Sequence, residues 1–318
     1  MGLSMKPLVA MLLLAGSLAA VAQQSRLPEL GGLQPANSPA PLAAANRLMA
    51  AGDFKSAESA LRDYIATDPR SGVARYMLAY ALLRQNKPKD SLEEYTRAAA
   101  LQTPSAEQLR NVGQDYVLLD DLPDAGKWIT RSIEMDRADP EGWYSLGRLR
   151  YTEQRFVDAA DCFQHALALA PGNAKVENNL GLAYEGLNRT DDAVIAYRQA
   201  IAWQDAGKRE GVSEQPFLNL AIVLMHRAQL AEALPLLQRA VAIAPGDPRI
   251  HEQLGQLYMQ QGNFSEAQKS LAIATRLDPG KSNLHFLLGQ AYRHLGRQQE
   301  AKAEFDAAAR LATPPASP

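Results

Sequence analysis

A pattern that recurs every 34 residues constrains this chain more than any other feature of its sequence. Eight copies align, and they begin at Ser38, Gly72, Ala106, Pro140, Ala174, Glu214, Pro248 and Ser282. A period of this length is typical of a solenoid, in which each unit buries its apolar face only against its neighbours. The sequence therefore predicts one repeat array, although 318 residues would also suffice for two ordinary domains.

The residue types within each copy predict two packed helices. The eighth position is always small: Ala45, Ala79, Gly113, Gly147, Gly181, Ala221, Gly255 and Gly289. The twentieth position is also small, and the twenty-fourth is large: Leu61, Tyr95, Ile129, Phe163, Tyr197, Leu237, Leu271 and Phe305. Small side chains let two helices approach closely, and the large ones interdigitate along the stack. Four copies have a proline where the second helix should end, because proline cannot continue a helix: Pro69, Pro171, Pro245 and Pro279.

The fourth copy resembles the tetratricopeptide repeat. It carries most of that signature in Trp143, Leu146-Gly147, Ala159, Phe163, Ala166 and Pro171. The tyrosine of the signature is displaced, since Arg150 takes its place and Tyr151 follows. The resemblance implies an all-α fold, a right-handed superhelical solenoid of about eight helix-turn-helix repeats.

The repeat phase divides the chain into segments. The array is predicted to span residues 38–313, and residues 314–318 form a short tail. The phase breaks once, between Trp203 and Phe217, where about six extra residues near Lys208 to Ser213 predict a lengthened turn.

The first 22 residues predict a secretory signal peptide. Lys6 precedes an apolar stretch from Leu8 to Ala22 that ends in an Ala-x-Ala exit. The alternative is a membrane anchor, but about 15 apolar residues are fewer than the roughly 20 that a spanning helix needs. Residues 23–37 are rich in Pro, Gly, Ser and Gln and predict a flexible linker. We therefore expect an exported protein, periplasmic or secreted, from a bacterial source, with no stable membrane span after cleavage.

Composition and motifs favour a protein without catalytic chemistry. A net charge of −2, from 33 basic and 35 acidic side chains, argues against a nucleic-acid partner. We find no phosphate-binding loop, nucleophile elbow or metal-binding helix motif. His251 and His285 share one repeat position, but no carboxylate or thiol stands at ligand spacing, so neither a metal nor a cofactor is predicted. The single cysteine, Cys162, is interpreted as a small helix-packing residue.

The resemblance places the first helix of each repeat on the inside of the superhelix. Aromatic, Arg, amide and Met side chains there suit a peptide groove, because amides pair with an extended backbone while rings and Met pack its side chains. The predicted protein-binding residues are Tyr76, Tyr80, Arg110, Asn111, Gln114, Tyr144, Arg148, Asn178, Asn179, Asn219, Met225, Gln253, Gln256, Gln290 and Arg293.

Two family comparisons refine this prediction. Asn111, Asn179 and Asn219 share the sixth repeat position, which resembles the asparagine ladder by which O-linked N-acetylglucosamine transferases hold peptide backbones. Hydrogen bonding between repeats is the alternative role for these asparagines, and the sequence leaves both open. The carboxylate clamp of chaperone-binding members is not matched by any three consecutive repeats.

The sequence thus predicts a non-enzymatic scaffold that binds a protein or an extended peptide in its concave groove in the cell envelope. Two alternatives stay open. One is an accessory or targeting subunit of a glycosyltransferase-like or envelope-assembly enzyme complex, and the other is a self-assembling structural protein. We expect a monomer, and the alternative is self-association through Phe305 and Leu311 of the last repeat.

Overall fold

The computed structural model describes residues 39–207 and 212–312. Sixteen helices form within these ranges, and no strand does. In chain order they are α1 Ala40–Ala50, α2 Phe54–Thr67, α3 Gly72–Arg84, α4 Pro88–Ala99, α5 Ala106–Leu118, α6 Leu122–Met135, α7 Pro140–Thr152, α8 Phe156–Leu169, α9 Ala174–Gly186, α10 Thr190–Ala206, α11 Gln215–His226, α12 Leu230–Ile243, α13 Pro248–Gln260, α14 Phe264–Leu277, α15 Ser282–His294 and α16 Gln298–Ala312. Each predicted repeat is therefore one pair of helices, which confirms the all-α prediction.

The chain divides into two compact units, one that ends at Leu187 and one that begins at Asn188. In each unit a second helix packs against its own first helix and against the first helix of the next repeat. First helices also contact one another along each unit, from α3 through α5 and α7 to α9, and from α11 through α13 to α15. Each unit is thus built by nearest-neighbour packing, as a repeat architecture requires.

Small residues lie at the helix crossings that the sequence predicts. Every residue at the twentieth position is at most 2% exposed, and Ala45, Ala79 and Ala221 at the eighth are fully buried. At Gly147 a β-carbon would lie 2.6 Å from Cε1 of Phe163, and at Gly289 it would lie 2.7 Å from Cδ1 of Phe305. These separations are far below van der Waals contact, so the large twenty-fourth residue of a repeat rests directly on its eighth.

Each turn within a repeat has one residue in the left-handed backbone region. These residues all occupy the fifteenth position, and their φ angles range from 59° to 79°: Gly52, Asn86, Asp120, Gln154, Asn188, Ala228, Gly262 and Gly296. Glycine and asparagine tolerate this conformation, whereas a β-carbon in other residues disfavours it. The eight turns thus share one backbone geometry at the spacing of the repeats.

Because Ala228 adopts φ 59°, we expect Ala228→Gly to stabilise the protein. Removing the β-carbon should raise the free energy of unfolding by about 0.5 to 1 kcal/mol, measured by urea denaturation. Gly262 occupies the same position with φ 73° and open surroundings. Gly262→Ala should therefore lower stability by a similar amount, and a loss of stability in both variants would contradict the explanation.

Part of the extra sequence between repeats five and six is helical. Helix α10 has 17 residues, whereas α8 and α12 have 14 each. Three residues of the predicted turn region therefore extend helix α10, and the turn begins only after Ala206. Of the predicted turn, residues 208–211 lie outside the described residues.

The predicted signal peptide, the linker and the tail also lie outside the described residues. Among the residues that are described, no helix combines the length and the apolar character that crossing a bilayer demands.

Candidate functional site

The candidate site is formed by the first helices and is described separately for each unit: α3, α5, α7 and α9 in the first and α11, α13 and α15 in the second. We call the surface of these helices in a unit the first-helix face of that unit. All fifteen predicted binding residues lie on these helices. Their placement follows from the repeat phase, since residues at equivalent positions of equivalent helices recur at one side of a stack.

Six of the fifteen residues are buried, with exposed fractions of 3 to 7%: Tyr76, Asn111, Tyr144, Asn178, Asn219 and Met225. Tyr76 illustrates what such a residue does, because its hydroxyl donates to the carbonyl oxygen of Gln102 at 2.7 Å. The accessible residues of the two faces are Tyr80, Arg110, Gln114, Arg148, Asn179, Gln253, Gln256, Gln290 and Arg293. The sequence placed all fifteen on first helices but did not separate those that pack from those that reach solvent.

The asparagines of the sixth position differ from one another. Asn111 and Asn219 are 5% and 4% exposed, whereas Asn179 is half-buried. Asn179 Nδ2 donates to the hydroxyl of Tyr144 at 2.8 Å, which links α9 to α7. At Asn179 the structure therefore contains a hydrogen bond between repeats, the alternative role left open by the sequence.

Many cations on or beside these faces are already paired with carboxylates of the protein. Arg75 Nη1 lies 2.9 Å from Glu94 Oε2, and Arg110 forms an ion pair with Asp139. In the second unit, Arg249 Nη2 lies 2.6 Å from Asp247 Oδ2. Such internal pairs reduce the electrostatic attraction that these cations can offer to a ligand.

Tyr144 stands at the centre of a different cluster. Lys175 Nζ lies 4.3 Å from the centroid of its ring, and Arg148 Cζ lies 5.8 Å from the same centroid. Neither cation forms a salt bridge with any residue in the described ranges. Sequence reasoning missed Lys175, although it lies on a first helix four residues before Asn179, which was predicted to bind.

A second aromatic cluster lies at the start of the first unit. Arg84 Nη1 donates to the hydroxyl of Tyr80 at 2.7 Å, and Arg84 Cζ lies 4.6 Å from the ring centroid of Phe54. The rings of Phe54 and Tyr80 meet edge to face at 6.3 Å. Tyr80 is thus held in place by a cation and a ring.

The histidines singled out by the sequence make structural hydrogen bonds. His251 Nε2 lies 2.9 Å from the carbonyl oxygen of Pro245, and His285 Nε2 lies 3.1 Å from that of Pro279. The same repeat position elsewhere is Trp143, whose Nε1 donates to the carbonyl oxygen of Arg137 at 3.1 Å. Because a carbonyl only accepts, each ring donates and so holds the turn that follows the preceding helix. Within the described ranges no three His, Cys, Asp or Glu side chains are grouped closely enough to hold a metal ion.

Cys162 lies on helix α8. Its side chain is buried at 7% exposure, and burial raises the pKa of its thiol to about 11. A thiol of this kind is unreactive near neutral pH, because the thiolate is the nucleophilic form. The prediction of a helix-packing cysteine is confirmed.

Family comparisons agree with the helical pairs. Models of the tetratricopeptide repeat match residues 42–107, 140–173, 174–206, 224–279 and 252–318. The chain is a tetratricopeptide repeat protein.

Curated relatives share this repeat region. The peroxisomal targeting signal receptor of Kluyveromyces lactis is 26% identical over 189 residues, which are 58% of this chain and 32% of the receptor. The human aspartyl/asparaginyl beta-hydroxylase is 26% identical over 232 residues, which are 70% of this chain and 26% of that protein. The chain therefore spans a third or less of the length of these relatives.

Solved structures show the same fold at low identity. Yeast Tom70 matches with a TM-score of 0.64 and 16% identity, over 96% of this chain and 68% of that one. PilW, described as a type IV pilus biogenesis factor, matches with a TM-score of 0.56 and 20% identity, over 63% of this chain and 90% of that one. At these identities the likeness concerns the fold alone.

Proposed function

We propose that this protein is a non-catalytic interaction scaffold that binds an extended segment of another protein on the first-helix face of its first unit. The observation that carries the proposal is the row of partly exposed amide and arginine side chains on three successive first helices of that unit, α5, α7 and α9: Gln114, Arg148 and Asn179. Amides can pair with the peptide groups of an extended chain. Arginine adds directional hydrogen bonds with little loss of conformational entropy, because its guanidinium group is planar and rigid. Membership of the repeat family supports the proposal, as does the likeness to a targeting signal receptor.

The proposal predicts the effect of removing these side chains. Alanine at Gln114, Arg148 and Asn179 together should leave the far-UV circular dichroism spectrum unchanged, since none of the three is fully buried. Capture of the partner from cell extract should fall at least about tenfold, because each polar contact contributes on the order of 0.5 to 1.5 kcal/mol.

The control for this experiment is a variant with alanine at Lys89 and Lys302, which are exposed and lie away from the first helices. Its capture should equal that of the unmodified protein. If the triple variant retained full capture while folding normally, the site would have to lie elsewhere on the surface.

We further propose that the protein acts outside the cytoplasm, in the periplasm or in secreted form. The support is the apolar stretch after Lys6 and its Ala-x-Ala exit at Ala22. N-terminal sequencing of the protein from its native host should find a chain that starts at or near Gln23. An intact Met1 or Met5 on cytoplasmic protein would contradict this location.

A second candidate function is the accessory arm of an enzyme whose catalytic subunit is another chain. The observation in its favour is that the mouse and human aspartyl/asparaginyl beta-hydroxylases match 70% of this chain over about a quarter of their own length. Co-purification of a catalytic protein with the unmodified chain, lost in the triple variant, would support this function over simple scaffolding.

A further inference from the structure

The second unit contains a carboxylate bound by its own first-helix face. Glu252 on α13 is 7% exposed, and three nitrogen donors surround it. Lys281 Nζ lies 2.7 Å from its Oε2, Asn283 Nδ2 donates to its Oε1 at 2.9 Å, and Gln256 Nε2 donates to the same oxygen at 3.3 Å. One ammonium group and two amide groups bind this carboxylate, and together they offset the free-energy cost of burying its charge.

Equivalent positions in the first unit hold donors but no carboxylate. Three repeats earlier, Tyr144 occupies the fifth position that Glu252 holds in repeat seven. Arg148 corresponds to Gln256, and Lys175 corresponds to Asn283. Asn179 adds a further amide, whose Nδ2 reaches the Tyr144 hydroxyl at 2.8 Å. Two of the three donors of the internal site thus have counterparts beside Tyr144, and both counterparts are positively charged.

No salt bridge to a residue that the structure describes balances the charges around Tyr144. Lys175 and Arg148 both lie against one ring, at 4.3 and 5.8 Å from its centroid. The nearest acids on the same helices are Glu141 on α7 and Glu177 on α9, and within the described residues neither forms a salt bridge with these cations. Two cations on one ring repel each other, so an anion placed between them would be attracted by both.

We propose that Tyr144, Arg148, Lys175 and Asn179 form a binding site for a carboxylate of the partner polypeptide, supplied by an acidic residue of its extended segment. This inference rests on the proposed function, because it specifies what the first-helix face of the first unit recognises. The bound carboxylate accepts from these donors, as the carboxylate of Glu252 accepts from its own donors in the second unit. The Tyr144 ring forms an apolar floor, Lys175 and Arg148 supply charge, and Asn179 supplies a hydrogen-bond donor beside them.

Selection from a random display library of unphosphorylated peptides tests the proposal. The full chain should select peptides that share an Asp or Glu at one fixed place. A synthetic copy of a selected peptide with Gln in place of that Glu should bind about tenfold more weakly, measured by fluorescence anisotropy. The variant with Gln at Arg148 and Lys175 should lose this difference between the two peptides.

The matched control carries Gln at Lys89 and Lys302, exposed residues that change the net charge equally. It should discriminate Glu from Gln as the unmodified protein does. If the double variant at Arg148 and Lys175 failed to fold, Lys175→Gln alone would serve, because this side chain is exposed.

The outcomes separate this proposal from the proposed function. Selected peptides without a shared acidic residue would overturn the carboxylate site, and so would unchanged discrimination in the double variant. Selection of no peptide by the unmodified protein would overturn the proposed function, and the carboxylate site with it.

Discussion

Gly255→Leu should destabilise the protein by about 1 to 3 kcal/mol, because it places a side chain where two helices already touch. A β-carbon at Gly255 would lie 2.6 Å from Cδ2 of Leu271, which is fully buried on the paired helix α14. The two helices cannot move apart without loosening their contacts with the adjacent repeats. Urea denaturation followed by circular dichroism measures the change.

Two further variants make this result specific. Gly246→Leu is the matched control, since Gly246 has open surroundings and an ordinary backbone conformation, and it should change stability by less than about 0.5 kcal/mol. Leu271→Ala alone should open a cavity and cost about 2 to 5 kcal/mol. Combined with Gly255→Leu it should cost less than the sum of the two, because the new side chain fills the vacated space. Simple additivity would show that the two residues do not meet.

The stability of the first unit should fall as the pH rises from about 5 to about 8, owing to Asp115. This residue is fully buried on α5, and its Oδ2 lies 2.6 Å from Oγ of Ser91. The same Oγ lies 2.9 Å from the carbonyl oxygen of Ala79. One hydroxyl proton cannot serve both acceptors, and a neutral Asp115 that donates to Ser91 resolves the conflict.

The direction of the pH effect follows from the raised pKa. Burial raises the pKa of Asp115 from 3.8 to about 8, and the hydrogen bond with Ser91 offsets only part of the increase. Between these values the folded chain holds a proton that the unfolded chain has released. The free energy of unfolding should therefore fall by up to about 1.4 kcal/mol per pH unit across this window and level off above it. Burial raises the pKa of Glu107 and Glu177 too, so they act in the same direction.

Asp115→Asn isolates this contribution. The amide can donate to Ser91 at every pH, so the variant should be more stable than the unmodified protein at pH 8, by about 1 to 3 kcal/mol, and its pH dependence should be shallower. Asp63→Asn is the control, since Asp63 is exposed on α2 in the same unit, and it should leave the dependence unchanged. Equal stability of the unmodified protein at pH 5 and pH 8 would contradict the prediction.

The sequence alone determined the helices, their pairing and the residues at each crossing. Gly255 and Leu271 could be matched without a structure, because a solenoid solves the same packing problem in every repeat and the solution recurs at a fixed spacing. The turns followed for the same reason, since the fifteenth position needs a left-handed residue wherever the two helices of a repeat meet.

Only the tertiary structure decided which side chains of the first-helix faces remain available to a partner. Asn111 and Asn179 occupy the same repeat position, yet the first is buried and the second is half-exposed beside Tyr144. Arg110 and Lys175 both look like groove cations, but Arg110 pairs with Asp139, whereas Lys175 has no carboxylate partner among the described residues. Repeat position fixes the direction in which a side chain points from its helix. Its burial and its charge partner depend on the particular neighbours of the adjoining repeat, which no periodicity encodes.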